Sequence, residues 1–268
     1  MGGELQEACS GSDRKYRATV EYDGTDYYGF QIQADKPTVQ GAIEESLAQT
    51  VKEAVRIAGA GRTDSGVHAR GQVIGFCVAW QHSLGDLQRA LNARLPRDIV
   101  IRELEHAQED FHPRFSARSR VYRYTVLNQP LRSPLARRFA HQLTEPLNLS
   151  AMNGAASLLL GRHDFATFGN PPQQDGSTVR EVMQAVWTQV GDCFCFSIEA
   201  NGFLRRMVRT MVSALLVVGQ GRMAKEGIAA LLAARDRSQS LPPAPACGLC
   251  LMQVKYRSEG FQSGDIFS

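Results

Sequence analysis

The sequence has no apolar run long enough to span a bilayer, and it has few cysteines. The longest largely apolar run, 211–219, is less than half of the roughly 20 residues that a membrane-spanning helix needs. The amino terminus lacks a basic stretch followed by an apolar one, so no signal peptide is predicted. Six cysteines in such a chain are typical of a reducing compartment. We therefore expect a soluble, cytoplasmic protein without a membrane partner.

Lysine is scarce, and acidic residues are missing from one long stretch. Five of the 30 basic residues are lysines, so 25 are arginines, whose planar guanidinium suits phosphates and base edges. A GC-rich genome is an alternative cause of this bias. No Asp or Glu occurs in 111–144, although the formal net charge of the chain is only +3. This stretch predicts a nucleic-acid interface, with a solvated basic face as the alternative, and we expect RNA contacts from Arg114, Arg118 and Arg120.

Helix and strand patterns follow one another in a similar order twice along the 268 residues. Over residues 15–105 the order is β-α-β-β-α-β, which is typical of a ferredoxin-like α+β arrangement with an antiparallel sheet. The second unit repeats this pattern in kind and contains a long helix predicted over 203–218. The predicted organisation is a loose N-terminal tail, two α+β domains and a C-terminal tail, over residues 1–12, 13–110, 111–258 and 259–268.

The segment 59–72, GAGRTDSGVHARGQ, places a carboxylate in a loop bounded by glycines. Glycines let the backbone approach a ligand closely, so Asp64 is a candidate functional residue. An Asx turn, in which Asp64 only bonds its own backbone, is the structural alternative. Asp64, Ser65 and His68 also have the composition of a hydrolase triad, but three such residues within five positions rarely converge on one point.

Two cysteine pairs, Cys193 with Cys195 and Cys247 with Cys250, could in principle form a four-cysteine zinc site. The first pair, however, lies in CFCFSI, a pattern typical of a buried strand in which cysteine packs as a small hydrophobic residue. No two histidines are spaced four residues apart. We therefore expect no metal site and a packing role for these cysteines.

Several long motifs, in the same order, resemble the TruA-type tRNA pseudouridine synthases. The loop GRTDSGVHARGQV is similar to that family's active-site loop, and EYDGTDYYGFQIQ is similar to its opening strand and turn. FHPRFSARSRVYRY, GRHDFATF, STVREV, NGFLRRMVR and GLCLMQVKY resemble further family segments. Phe30 and Pro113 depart from the pattern, where tryptophan and alanine are usual. The similarity covers roughly residues 15–257.

The resemblance implies a function and a set of site residues. The implied reaction is isomerisation of uridine to pseudouridine at positions 38, 39 and 40 of the tRNA anticodon stem-loop, by a homodimer without metal or organic cofactor. Two α/β halves are then expected to flank a basic RNA-binding cleft. The catalytic aspartate falls on Asp64, the arginine that pairs with it on Arg209, the loop arginine that displaces the target base on Arg62, and the tyrosine that stacks on the uracil on Tyr122.

The chemistry is consistent with these residue types. A carboxylate can attack the sugar or remove a sugar proton, and the sequence leaves both roles open. A nearby guanidinium favours the ionised form of a carboxylate, which is the role expected of Arg209. A surface arginine and a core tyrosine are the plainer interpretations of Arg209 and Tyr122. Two other functions remain as alternatives: a catalytically silent RNA-binding protein on the same scaffold, and a hydrolase.

Overall fold

The computed structural model describes residue 9 and residues 13–171 and 176–256. Both predicted tails lie outside the described residues, except for Cys9. The last two residues of the predicted C-terminal domain, 257 and 258, also lie outside them.

The N-terminal half forms a four-stranded antiparallel arrangement with two helices. Its strands stand in the order β4-β1-β3, and β2 pairs antiparallel with the other edge of β3. This is the 4-1-3-2 order that a β-α-β-β-α-β chain adopts in a ferredoxin-like fold. The elements are β1 (Arg14–Tyr22), α1 (Val39–Val51), β2 (Ala58–Gly59), β3 (His68–Val78), α2 (Leu84–Asn92) and β4 (Ile99–His106).

The C-terminal half repeats the same strand order. Its central strands run β10-β5-β9-β8; β7 extends the sheet beyond β8, and β6 pairs alongside β5. The elements are β5 (Ala117–Asn128), β6 (His141–Leu143), α3 (Leu149–Ala156), β7 (Gly161–Asp164), β8 (Val179–Val190), β9 (Cys193–Ala200), α4 (Met207–Gly219), α5 (Glu226–Ala234) and β10 (Leu249–Tyr256).

The two halves share one sheet. Strand β10 pairs antiparallel with β5 on one side and parallel with β3 on the other, where Cys250 lies opposite His68 and Leu251 opposite Ala69. The result is a ten-stranded, mainly antiparallel sheet that runs through the molecule. The predicted α+β class and antiparallel character are confirmed. The structure also shows that strand pairing between β10 and β3 connects the sheets of the two halves.

Local sequence signals account for the elements. Strand β1 alternates buried and partly exposed residues, as a strand with one face on the core does. Helix α1 begins after Thr38, whose hydroxyl accepts a hydrogen bond from the Gly41 amide. Helix α2 begins with a capping box between Ser83 and Asp86. Apolar residues from both halves form one continuous core.

The predicted helix over 203–218 begins later than expected. Arg206 adopts a left-handed conformation with φ 64°, and α4 starts at the next residue, Met207. Arg205 lies before the helix and forms an isolated bridge with Asn170. Arg205 and Arg209, which the predicted helix would place on one face four residues apart, therefore do not share a helix. The short strands β6 and β7 were not predicted, because three or four residues are too few to show a period.

The cysteines behave differently from the expectation of free thiols in a reducing compartment. Cys9 forms a disulfide with Cys77, and their Cα atoms are 5.5 Å apart. The other four cysteines are half-buried free thiols. Within the described ranges, no cluster of three or more His, Cys, Asp or Glu side chains could hold a metal ion, and no helix there has the length and apolarity to cross a membrane.

Candidate active site

The loop between β2 and β3 is held by backbone contacts with the segment that follows β1. The Phe30 amide donates to the Thr63 carbonyl at 3.1 Å, and the Gly66 amide donates to the Tyr27 carbonyl at 3.2 Å. Gly29 has φ 94°, and a Cβ atom there would lie 2.7 Å from the Thr63 oxygen. Glycine at this position therefore permits both the left-handed backbone and the close approach of the two segments.

Thr63 anchors the middle of the loop in the core. It is buried, and its hydroxyl lies 2.8 Å from the hydroxyl of Tyr22. The Gln72 side-chain amide donates to the Gly61 carbonyl at 2.8 Å, which fixes the start of the loop. With Thr63 turned inward, its neighbours Arg62 and Asp64 both line a cleft, where Arg62 is exposed and Asp64 is half-buried.

Asp64 forms an ion pair with an arginine of the other half. A nitrogen of the Arg209 guanidinium (Nη1) lies 3.4 Å from the carboxylate (Oδ2), and the two side chains are 14% and 26% exposed. Nε of Arg209 donates to the Ala244 carbonyl at 2.6 Å, and the Ala244 amide donates back to the Arg209 carbonyl at 3.0 Å. The guanidinium is therefore fixed from behind and presents its free end to Asp64. Interpretations of Asp64 as a simple turn residue and of Arg209 as a surface arginine do not account for this pair.

Tyr122 forms part of the same cleft. It lies on β5, where alternation buries Tyr122 and Tyr124 and exposes Arg123. The Tyr122 ring, 8% exposed, meets the Phe203 ring edge to face with centroids 5.1 Å apart. Burial raises the pKa of Tyr122, the Arg120 charge opposes this, and the Asp64 carboxylate raises the pKa further. The tyrosine is therefore a neutral aromatic surface within the electrostatic reach of Asp64.

The cleft is large and strongly basic. Its volume is about 920 Å³, and residues of both halves line it. Asp64 is the one acidic side chain among the described residues of its wall. Seven arginines line the same cleft: Arg62, Arg114, Arg120, Arg180, Arg205, Arg206 and Arg209. Such a cavity favours an anionic ligand.

Arg120 has a different environment from that of an ordinary phosphate-binding arginine. Its guanidinium donates to the carbonyls of Ala60 at 2.9 Å, Arg114 at 2.8 Å and Asn201 at 3.0 Å. Burial lowers the pKa of this guanidinium, and Coulombic attraction from Tyr122 opposes the shift. Arg120 thus ties the active-site loop to two segments of the C-terminal half, and its contact with RNA remains a prediction.

The other two arginines predicted to contact RNA differ from each other. Arg114 lines the cleft, whereas Arg118 is exposed on β5 and does not line it. Arg138, from the same acid-free stretch, forms ion pairs with Asp23 at 3.2 Å and Asp26 at 3.1 Å. The basic stretch therefore supplies structural contacts as well as a cationic surface.

The hydrolase alternative finds no support in the positions of Ser65 and His68. The Ser65 hydroxyl donates to the Tyr27 carbonyl at 3.2 Å. His68 is 4% exposed; its Nδ1 accepts from the Gly24 amide at 3.1 Å, and its Nε2 lies 3.2 Å from the Cys247 carbonyl. Ser65 is thus engaged with the backbone, and His68 with the backbone and with the Asp23 carboxylate, 3.1 Å from its Nδ1, in the manner of structural residues.

Three arginines of the cleft were not assigned a role from the sequence. Arg180 lies at the start of β8 and donates to the Ser177 and Val179 carbonyls, and Arg205 and Arg206 stand just before α4. The segments STVREV and NGFLRRMVR that contain them were recognised as family motifs. Those motifs were the available signal, but the role of each arginine depends on where the chain turns.

Comparisons with known proteins agree on one family. The family model described as tRNA pseudouridine synthase matches residues 18–116 and 155–257. The chain is 42% identical to tRNA pseudouridine synthase A of Pelobacter propionicus over 243 residues, which cover 91% of this chain and 100% of that one.

Two further relatives, both also named tRNA pseudouridine synthase A, give similar values. Identity is 43% with the protein of Roseiflexus castenholzii, over 94% of each chain. It is 44% with the protein of Chlorobaculum tepidum, over 91% of this chain and 99% of that one. A chain in a crystal structure of a Cbf5-Nop10-Gar1 complex aligns with a TM-score of 0.30 and 11% identity, over 75% of this chain and 54% of that one; so weak a likeness supports no conclusion.

Proposed function

This chain belongs to the tRNA pseudouridine synthase family, and we propose that it isomerises uridine to pseudouridine at positions 38, 39 and 40 of the tRNA anticodon stem-loop. The family is one of RNA-modifying isomerases. The observation that carries the proposal is the ion pair between Asp64 and Arg209 inside an arginine-lined cleft. The motifs quoted above support the choice of positions.

The proposed reaction conserves atoms. The N1–C1′ bond of the uridine breaks, C5 joins C1′, the proton on C5 is released, and N1 gains a proton. Asp64 acts on the sugar as nucleophile or as base, and either role requires an ionised carboxylate. Arg209 supports it, since a guanidinium fixed by the Ala244 carbonyl holds a positive charge 3.4 Å from the carboxylate.

Access to the uridine requires that the base leave its stack, which costs a few kcal/mol. We propose that Arg62, exposed at the cleft wall, helps displace the base, and that the Tyr122 ring receives it. The remaining arginines of the cleft, apart from Arg120 with its three backbone carbonyl partners, attract the phosphates of the RNA. These arginines line the cleft together with Asp64, which has the one carboxylate among the described residues of the wall, and this arrangement supports the division of roles.

The remaining features of the proposal follow from the resemblance. We propose a homodimer that acts in the cytoplasm without metal or organic cofactor. We also propose that the chain divides functionally at residues 110 and 111, with the active-site loop in the first domain and Tyr122 and Arg209 in the second.

The test is tritium release from a tRNA transcript that carries uridine labelled at C5. We expect release by the wild-type protein and none by Asp64→Asn, because C5 loses its hydrogen when it joins C1′. Transcripts with a single uridine at position 38, 39 or 40 give the site preference. Binding of the transcript to Asp64→Asn, measured in parallel, serves as the control for folding and recognition.

Two outcomes contradict the proposal in different ways. Substantial release by Asp64→Asn would exclude the carboxylate mechanism. Absence of release by both proteins, with tight binding of the transcript retained, would favour the alternative function of a catalytically silent RNA-binding protein.

A further inference from the structure

Phe115 is an exposed aromatic ring on the wall of the cleft. It is 70% exposed, in contrast to Tyr122, which is 8% exposed. A phenylalanine that projects into water from a basic cleft has no role in the core. Exposure alone is common among surface apolar residues, and it is the place of this ring on the cleft wall that makes it a candidate ligand contact.

The turn that carries Phe115 is tightly fixed. His112 Nδ1 accepts from the Arg114 amide at 3.0 Å and from the Phe115 amide at 3.3 Å. The His112 amide donates to the Ser116 hydroxyl at 3.0 Å, and the Ser116 amide donates to the His112 carbonyl at 3.0 Å. The exposure of the ring is thus imposed by a well-bonded turn.

The turn is also tied to the rest of the protein. The Tyr256 hydroxyl donates to the Pro113 carbonyl at 2.8 Å, and the Arg120 guanidinium donates to the Arg114 carbonyl at 2.8 Å. Pro113, which departs from the family pattern, is itself buried. A ring carried on a fixed backbone loses less conformational entropy when a ligand stacks on it than one on a flexible segment.

The surroundings of the ring indicate the chemistry of its ligand. The His112 ring lies 4.3 Å from the Phe115 ring, centroid to centroid, and the Arg114 guanidinium carbon lies 5.6 Å from its centroid. Tyr28, 47% exposed, lines the same cleft and has the Lys36 ammonium 4.6 Å from its ring centroid. An aromatic face beside a cation fits a nucleotide, because the base stacks and the phosphate is attracted.

We propose that Phe115 is a stacking platform for a second unpaired nucleobase of the substrate RNA, distinct from the base that enters the cleft. This inference rests on the proposed function, since it requires an RNA in the cleft. The platform holds the single-stranded part of the RNA at the cleft mouth while the target uridine reaches Tyr122 and Asp64.

The test measures the affinity of an RNA hairpin, corresponding to the tRNA anticodon stem and loop, for the full-length protein. Asp64→Asn is the background, so that no turnover disturbs the binding. We expect Phe115→Leu to weaken binding about 5- to 150-fold, the equivalent of one lost base stack. Phe115→Tyr and Phe115→Trp retain a ring and are expected to bind like the parent.

Phe139→Leu is the matched control. Phe139 is also an exposed phenylalanine, 52% exposed, that contacts a histidine ring, with its centroid 5.0 Å from that of His68, but it does not line the cleft. Phe139 belongs to the acid-free stretch, but its ring packs on the buried His68 outside the cleft, so the same substitution there is expected to leave hairpin affinity unchanged. Thermal unfolding of both leucine variants checks that the fold is intact.

Hairpins with one abasic nucleotide at each loop position locate the stacked base. At the position that stacks on Phe115, the abasic site should abolish the effect of Phe115→Leu, because both changes remove the same contact. Parental affinity of Phe115→Leu, or an equal effect at every abasic position, would overturn the proposal. Conversion of a dimer into a monomer by Phe115→Leu would also overturn it, since the ring would then serve a protein contact.

Failure of this inference can be distinguished from failure of the proposed function. Tritium release by the wild-type protein tests the isomerase activity by itself. Release together with parental binding by Phe115→Leu rejects the platform alone. No release together with Phe115-dependent binding rejects the isomerase and retains the platform for a protein that only binds RNA.

Discussion

Replacement of Arg120 by methionine is expected to loosen the junction between the active-site loop and the C-terminal half. Methionine retains much of the aliphatic stem of arginine but has no donor for the carbonyls of Ala60, Arg114 and Asn201. The first two of these carbonyls differ in origin: one belongs to the start of the loop between β2 and β3, and the other belongs to the turn that carries Phe115. A single side chain therefore sets the distance between two parts of the cleft.

The magnitude follows from the environment of the three bonds. The bonds to Ala60 and Arg114 are partly buried, and an unpaired carbonyl there costs about 1–3 kcal/mol each. The bond to Asn201 is exposed, so water can replace it. Removal of the guanidinium also relieves its own desolvation cost. We expect a net loss of about 2–4 kcal/mol, which lowers the melting temperature by roughly 5–15 °C.

The assay separates this role from that of a phosphate contact. Thermal unfolding gives the stability change, single-turnover tritium release gives the rate, and hairpin affinity at several salt concentrations gives the number of phosphates neutralised. We expect Arg120→Met to reduce stability and rate and to leave the salt dependence unchanged. An arginine that binds a phosphate would instead reduce the slope of log affinity against log salt by about one.

The control is Arg118→Met, which changes an exposed arginine two residues earlier on the same strand. It should melt like the wild-type protein. The reasoning about Arg120 is refuted if Arg120→Met also melts like the wild type and reduces only the salt slope. In that case its three carbonyl contacts would contribute little, and the original expectation of an RNA contact would hold.

Two further predictions concern residues that lie against the loop between β2 and β3. Arg209→Lys is expected to lower the rate at least tenfold with tRNA affinity nearly unchanged, because an ammonium cannot bond the Ala244 carbonyl and Asp64 with the same fixed geometry; a wild-type single-turnover rate would remove Arg209 from the site. Gly29→Ala is expected to destabilise the protein by about 1–3 kcal/mol, because its Cβ would clash with the Thr63 oxygen in a left-handed backbone; urea denaturation measures this, and an unchanged midpoint would contradict it.

The order of the main elements along the chain and the antiparallel character of the sheet were predictable from the sequence, and the joining of the halves was not. Alternating burial along β1 and the cap at Thr38 are local signals, and a chain of this order has few topologies available. The pairing of β10 with β3 places Cys250 opposite His68 in neighbouring strands, although the two residues are far apart in sequence. The alternation of apolar and polar residues shows which face of a strand is buried, but it does not show which strand lies beside it. The pairing of β10 with β3 therefore could not be predicted from such a pattern.

The candidate site shows the same division. Asp64, Arg62, Tyr122 and Arg209 were named from motifs, and all four line one cleft. Their catalytic roles remain predictions. The role of Arg120 could not be deduced, because its three partners are backbone carbonyls. Every residue has such a carbonyl, so the residue types do not indicate which ones accept a hydrogen bond from Arg120. The late start of α4 was missed for a related reason, since a left-handed Arg206 is unusual for a residue other than glycine.

The central position of β10 has a consequence for biosynthesis. This strand is the last one in the described chain, yet it stands between β3 and β5 in the middle of the sheet. A growing polypeptide can complete the N-terminal half early, but both inner sheet edges stay open until residues 249–256 have left the ribosome. Open strand edges invite pairing with other chains. The two halves, which carry Asp64 and Arg209, are therefore connected through β10 only at the end of synthesis. A nascent chain that stalls before this strand is expected to be prone to aggregation.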